Sequence, residues 1–383
     1  MKNSLTLPTI YVSVFFGFAA LNITIPVIPL YATDLGASIS EVGLITGVFS
    51  YVAAIFLLPC GMLSDRYGRR NFLIGSLVVA VIVPVLYPLA TTPTQLIIIR
   101  AIHGLTGAAL IPTANAAVVD LAPPEQRGKV LGWHTGFGQF GLMAGPTIGG
   151  YLLHNFGYNI SFWGSSAVSL IGLILLLSQY RNLPHKQSPL PSTGSSWDWL
   201  KRKLILVAML ASMFLAFSGA TIGAYIPLYI IGFGLTEINA GFIISAFYAG
   251  SASIRLLTGS LSDKFGRKPM IITGLIVCAA AIASVSQLHT LTPLIIVSLI
   301  SGLGLGIAQP SAHATAADHA PPTSRGLAMS LTSGMFQVGS AVGMTAMGFI
   351  AEVSSFETMF ISCGFIIFLS MFLIAGLMRT SKS

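Results

Sequence analysis

Long stretches without a charged residue constrain this sequence more than any other feature. A helix needs about 20 apolar residues to cross a bilayer. Ten stretches approach or exceed that length: residues 3–33, 42–64, 71–99, 101–119, 130–180, 204–236, 238–254, 269–317, 326–351 and 358–378. Only 8% of the 383 residues are charged, whereas soluble domains carry about 25%. We therefore predict an all-α membrane protein.

Two of these stretches are long enough for two spans each. Stretch 130–180 contains a turn-like break near 154–157, and stretch 269–317 contains one near 287–293. Arg100 separates two stretches, but we place it inside the fourth span and not in a loop. Eight single stretches and two double ones together predict twelve transmembrane helices.

Basic residues fall on one side of the predicted membrane. Of the nineteen lysines and arginines, all except Arg100 lie on the side of the termini or at helix ends that face it. The opposite loops carry only acids, namely Asp34, Glu41, Glu237, Glu352 and Glu357. The positive-inside rule predicts a multi-pass protein of the plasma or inner cell membrane with both termini in the cytoplasm. Because topology explains the net charge of +8, no nucleic-acid partner is expected.

The sequence repeats itself with an offset of 198 residues. Residues 29–145 align with 227–343 without a gap, and "APPEQRG" at 122–128 matches "APPTSRG" at 320–326. Parallel repeats of this kind are typical of transporters whose substrate site lies at the repeat interface. The sequence therefore predicts two pseudo-symmetric six-helix bundles.

The bundles are predicted at 1–180 and 204–383, with a Pro- and Ser-rich cytoplasmic linker at 181–203 between them. Trp197 and Trp199 in this linker either rest at the lipid headgroups or belong to a plain solvated segment.

Much of the scarce charge lies in two matching decapeptides, "GMLSDRYGRR" at 61–70 and "GSLSDKFGRK" at 259–268. Asp65 can meet the positive end of a neighbouring helix dipole, and Arg69 can bridge to Asp120. We expect Gly61 and Gly259 to end the second and eighth spans. The alternative is that these charges only set the topology. The predicted gating residues are Gly61, Asp65, Arg66, Gly68, Arg69, Arg70 and Asp120, with Gly259, Asp263, Gly266, Arg267 and Asp318 as the second copy.

The two decapeptides resemble the loop signature of the major facilitator superfamily, G-x-L-x-D-R/K-x-G-R-R/K, in both halves of the chain. The resemblance covers essentially the whole chain and implies a twelve-span, two-bundle transporter that works by alternating access. It also implies that Asp65 meets the eleventh span, near Arg325 and Gly326. The cluster would then latch the two halves together on the cytoplasmic face.

The fifth span contains "GLMAGPTIGG" at 141–150, which resembles the G-x-x-x-G-P-x-x-G-G motif of the drug:proton antiporter branch. Met344 stands at the repeat position of Pro146, which favours a role in only one half. Ordinary close packing of helices through small residues is the alternative. The motif residues are Gly141, Gly145, Pro146, Gly149 and Gly150.

The fourth span contains "RAIHG" at 100–104, which resembles the family motif R-x-x-Q-G with His103 in place of glutamine. An arginine within the membrane costs at least about 2.5–3.5 kcal/mol and should face a cavity or backbone acceptors. Asn22 is a candidate partner. Arg100 then either bonds carbonyls of the first span or acts on the substrate.

No acid is predicted inside the membrane, so proton coupling would need Asp34, Glu41 or a histidine. His103 is the candidate tested first, because an unperturbed histidine titrates in the physiological range. The alternative is that it only replaces the glutamine of the family as a hydrogen-bonding group.

The function expected from these features is secondary active export of small amphipathic molecules, neutral or anionic, with the proton as coupling ion. Uptake or facilitated diffusion of a metabolite, and lipid flipping, are the alternatives. No nucleophile, metal-ligand or cofactor motif is present in the sequence, so we expect a carrier without a metal or cofactor and not an enzyme. The predicted substrate-binding residues are Asn22, Arg100, His103, Gln139, Phe217, Tyr225, Tyr248, Phe336 and Gln337.

Overall fold

The computed structural model describes residues 5–183 and 197–379, which form helices and short connections without a strand in those ranges. The first-half helices are Thr6–Ile23 and Val27–Asp34 (together the first span), Ile39–Tyr67, Arg69–Leu86, Pro93–Leu121 and Arg127–Ser178. The second-half helices are Lys203–Ile231, Glu237–Phe265, Arg267–Ser284, Leu291–His319, Arg325–Val353 and Phe356–Arg379.

The 52-residue helix Arg127–Ser178 is two spans. At about 1.5 Å per residue it would be far longer than a bilayer is thick. Gly157 breaks it with φ 78° and ψ −179°, which divides it into a fifth span, 127–156, and a sixth span, 158–178. The described chain therefore has the predicted twelve spans, and the breaks expected near 154–157 and 287–293 are both present.

Most of the predicted linker 181–203 lies outside the described residues. Within its described end, Trp199 is buried against Ile205, Ala316 and Ala328. Its side chain is therefore packed on the second half and is not solvated. The seventh span begins at Lys203.

A single glycine turns the chain between the second and third spans, and another does so between the eighth and ninth. Gly68 has φ 96° and Gly266 has φ 89°, a left-handed conformation that side chains with a Cβ rarely adopt. The expectation that Gly61 and Gly259 end their spans was wrong, because the helices continue to Tyr67 and Phe265.

We call the side with the termini and the two decapeptides the basic face, and the side with Asp34, Glu41, Glu237, Glu352 and Glu357 the acidic face. The two halves are in contact near the acidic face at two helix crossings. A Cβ placed on Gly43 of the second span would lie 2.6 Å from the carbonyl oxygen of Met344 on the eleventh. A Cβ on Gly241 of the eighth span would lie 2.5 Å from the carbonyl oxygen of Pro146 on the fifth. Both pairs are related by the 198-residue offset.

Hydrogen bonds between the halves reinforce the same face. The Ser40 backbone N–H donates to Glu352 Oε2 (2.7 Å), and the Thr147 and Ser245 hydroxyls lie 2.8 Å apart. His154 Nδ1 lies 2.8 Å from Glu237 Oε2 across the second crossing. The described residues form no ion pair between the halves on the basic face. The contacts between the halves therefore close the acidic face.

We predict that Gly241→Ala weakens the closed acidic face. The added methyl group would press on the Pro146 carbonyl, and overpacking of this kind costs about 1–3 kcal/mol. The fraction of molecules with a separated acidic face should rise, which spin labels placed on the two halves of that face would report as longer distances.

Gly75→Ala is the matched control for this variant. It also lies inside a transmembrane helix and gains the same helix propensity, but a Cβ there has no atom within 4 Å. Identical label distances in the two variants would show that the crossing does not hold the face closed.

Candidate transport cavity

A cavity of about 380 Å³ lies between the two halves. Spans 1, 2, 4 and 5 form one wall, and spans 7, 8, 10 and 11 form the other. Its volume is in the range of small-molecule sites, and most of its lining is apolar. Six of the nine predicted substrate-binding residues line it: Asn22, Arg100, Gln139, Tyr248, Phe336 and Gln337.

The other three predicted residues lie behind the cavity wall. The Phe217 ring packs against Gly343, and the Tyr225 hydroxyl donates to the Met344 carbonyl oxygen. His103 is buried and bonds through Nδ1 to the Tyr87 hydroxyl, 2.7 Å away. The sequence identified polar and aromatic residues in the correct spans, but it does not fix which side of a helix faces the cavity.

Arg100 is held by the second span and not by Asn22. Its Nε and Nη2 donate to the carbonyl oxygens of Ile45 (3.4 Å) and Thr46 (3.3 Å). Its Nη1 lies 3.5 Å from the Tyr87 hydroxyl, and its guanidinium lies 4.8 Å from the centre of the Phe49 ring. Arg100 is therefore largely occupied by protein partners. Asn22 donates to Phe18 on its own helix, which corrects the predicted pair.

The second half contributes a polar group to the cavity that the sequence analysis missed. Arg255 of the eighth span and Gln309 and His313 of the tenth line the wall together. The Gln309 amide donates to His313 Nε2 (3.3 Å), and the Ser333 hydroxyl lies 3.3 Å from the same nitrogen. Arg255 was assigned to a helix end facing the basic side because it closes an apolar stretch. The expectation that Arg100 is the one charge deep in the protein was therefore wrong.

The repeat itself contains a signal that identifies this group. Residues 198 positions earlier are Leu57, Ile111 and Asn115. A symmetric structural need would place similar side chains in both halves, so the asymmetry indicates a functional requirement in the second half.

The predicted ion-pair cluster forms on the basic face within the first half. Arg69 pairs with Asp65 (3.1 Å) and with Asp120 (2.9 Å), which ties the second, third and fourth spans together. In the second half Arg267 pairs with Asp263 (2.8 Å) and Asp318 (3.3 Å).

The flanking arginines of the cluster contact aromatic rings. The Arg70 guanidinium lies 4.0 Å from the centre of the Tyr180 ring, and that of Arg66 lies 5.4 Å from the Tyr67 ring. The described residues show no ion pair from Asp65 to the eleventh span. The latch between the halves stays a prediction for the closed form of this face.

The fifth-span motif packs against two partners. Gly145 faces the first span, where a Cβ would lie 2.5 Å from the Ala19 carbonyl oxygen, and Gly141 and Gly149 face the same helix. Gly150 faces the Glu237 carbonyl of the opposite half, next to the contact between Pro146 and Gly241. The motif thus packs within its own half and forms part of the crossing between the halves.

Comparisons with known proteins agree with this architecture. The sequence profile described as the Major Facilitator Superfamily matches residues 10–244 and again 208–383. An uncharacterised MFS-type transporter of Methanocaldococcus jannaschii is 24% identical, with 92% of each chain covered. Multidrug resistance protein 3 of Bacillus subtilis is 26% identical over 83% of this chain and 75% of its own. The multi-drug resistance efflux pump PmrA of Streptococcus pneumoniae is 24% identical over 90% and 89%.

Solved structures share the fold at low sequence identity. A variant of the nucleoside transporter NupG superposes with a TM-score of 0.81 at 13% identity, over 97% of this chain and 99% of its own. An inward-facing bacterial homologue of the human lysosomal transporter Spinster has a TM-score of 0.76 at 17% identity, over 99% and 95%. The twelve helices, the repeated decapeptides and these matches show that this chain belongs to the Major Facilitator Superfamily and is a secondary membrane transporter, not an enzyme.

Proposed function

We propose that this protein exports small amphipathic molecules from the cytoplasm by alternating access. The observation that carries the proposal is the central cavity, which is largely apolar, has a few polar groups and is closed off at the acidic face by contacts between the halves. By the positive-inside rule we expect the basic face and both termini in the cytoplasm, so substrate would enter from inside. The names of two relatives, a multidrug resistance protein and an efflux pump, support export.

Alternating access requires the basic face to close when the acidic face opens. We infer that the Asp65 cluster then reaches the start of the eleventh span, as the signature implies. Arg69 already orders the cluster within the first half, so the latch would form on the approach of the opposite half.

A two-step experiment tests the direction of transport. Expression in an efflux-deficient host would first identify compounds to which the chain gives resistance. Flux of such a compound would then be measured in liposomes, with Ala220→Trp as a cavity-filling control because Ala220 lines the cavity. Outward flux from the basic face supports export. Inward accumulation would establish uptake, and movement of labelled lipid without the compound would establish a flippase.

We propose the proton as coupling ion and predict that His313→Gln reduces accumulation driven by a pH gradient. Three histidines lie inside the spans away from the helix ends. His313 lines the cavity, whereas His103 and His134 are buried and do not line it. Initial rates with and without the gradient would measure the effect, with His134→Gln as the matched control. Unchanged gradient dependence in His313→Gln would exclude this residue as the carrier.

We also predict that Arg69→Gln disturbs the conformational equilibrium more than Arg267→Gln does. The Arg69 side chain is 12% exposed and that of Arg267 is 31% exposed, so solvent screens the second cluster more strongly. Loss of the first cluster should change the free-energy difference between the two conformations by on the order of 1 kcal/mol. Cysteine accessibility on the two faces would measure the shift, and an equal response of both variants would contradict a special role for the first cluster.

A further inference from the structure

The polar group of the second half has the composition of an anion site. Two arginines line the cavity, and none of the described residues that line it is acidic. Arg100 already has two carbonyl acceptors, a tyrosine hydroxyl and an aromatic ring. Arg255 differs, because only its Nε has a hydrogen-bond partner, the Ser251 hydroxyl at 3.3 Å. Its two terminal nitrogens have no acceptor in the described parts of the protein.

Further polar side chains line the same cavity as this guanidinium. The Gln309 side chain is 5% exposed and lines the cavity, yet its Oε1 has no hydrogen-bond partner among the described residues. Buried polar atoms in folded proteins are normally paired. This amide oxygen is an acceptor, so a hydrogen-bond donor could pair with it and an anionic oxygen could not; the donors available to an anion on this wall are the terminal nitrogens of Arg255. His313 and Ser333 supply further polar atoms on the same wall.

We propose that Arg255 binds the anionic head of the substrate, and that the substrate is a small amphipathic organic anion. This inference rests on the proposed function in one respect, namely that the bound anion is also exported. The planar fork of arginine matches a carboxylate or a related oxyanion with two parallel hydrogen bonds. Gln309 and His313 border the head, and the apolar body lies against residues such as Phe49, Phe247 and Phe336 across the cavity.

The charge of such a substrate bears on the driving force for export. An inside-negative membrane potential drives an anion outward by about 2.3 kcal/mol per charge per 100 mV. Export of an anion therefore does not depend on an acid inside the membrane, which agrees with the absence of one from the cavity lining of the described residues.

Equilibrium binding tests the site without any gradient. Phenylbutyrate, phenylbutyramide and phenylbutylamine share one apolar body and carry an anionic, a neutral and a cationic head. Each would be titrated calorimetrically into the purified full chain in phosphatidylcholine nanodiscs. We expect the acid to bind at least about tenfold more tightly than the amide, and the amine more weakly than the amide. No selectivity for the acid would overturn the proposal.

Variants locate the selectivity at Arg255. Arg255→Gln should remove the preference for the acid while amide binding is kept, which also shows that the variant is folded. Arg255→Lys should keep part of the preference for the acid, because the positive charge remains. The rest should be lost, since lysine lacks the planar guanidinium that can donate two parallel hydrogen bonds. Lys129→Gln is the control, since it removes one exposed charge from the basic face away from the cavity. Retained acid preference in Arg255→Gln would overturn the assignment.

Two further outcomes are distinguished by the same assay. If phosphatidylglycerol nanodiscs reduce acid binding about tenfold, the site is occupied by lipid headgroups and the proposal of a free small anion fails. Acid-selective binding without outward flux would leave the anion site intact and contradict the proposed export. Outward flux of neutral compounds without acid-selective binding would support the proposed export and contradict the anion site.

Discussion

Backbone contact at two helix crossings is the interaction on which the rest of this structure depends. In a bilayer, apolar side chains gain little by leaving the lipid, so helices associate where their backbones approach closely. Gly43 and Gly241 allow such an approach to carbonyl oxygens of the opposite half. Both crossings lie near the acidic face, and the cavity lies between the halves beyond them. The position of the cavity follows from that geometry.

The internal repeat separates what the fold needs from what the transporter does. The glycines of the crossings and the turns at Gly68 and Gly266 occur in both halves, as a symmetric frame requires. Arg100 and Arg255 have Ser298 and Leu57 as their counterparts, so the charges of the cavity follow no symmetry. A polar residue in a membrane core is energetically costly. When such a residue occurs in only one of the two halves, it indicates a function in that half.

The number of spans could be predicted because a bilayer sets a minimum length for apolar helices, and the repeat then determined the two bundles. The ends of the helices could not be predicted, since the apolar sequence stops near Gly61 and Gly259 while the helices continue to Tyr67 and Phe265. Arg255 was misplaced for a related reason. Depth along a bent span does not follow from position in the sequence, and the eighth span bends by 56° between Arg255 and Leu257. Whether the side chains of His103 and Tyr225 face the cavity depends on how the helices pack, which cannot be worked out from the pattern of one sequence.

The placement of Arg255 also suggests how a substrate would promote the change of state. Arg255 lines the cavity, and its terminal nitrogens have no acceptor among the described residues. Closure of the basic face would exclude water from the cavity, and an unpaired charge removed from water costs several kcal/mol. A bound anion would supply the missing partner, so the closed form should be less costly with substrate than without it. A ligand shifts a conformational equilibrium only by such a difference in its interaction with the two states. The same two free nitrogens that select an anion would therefore couple its binding to closure.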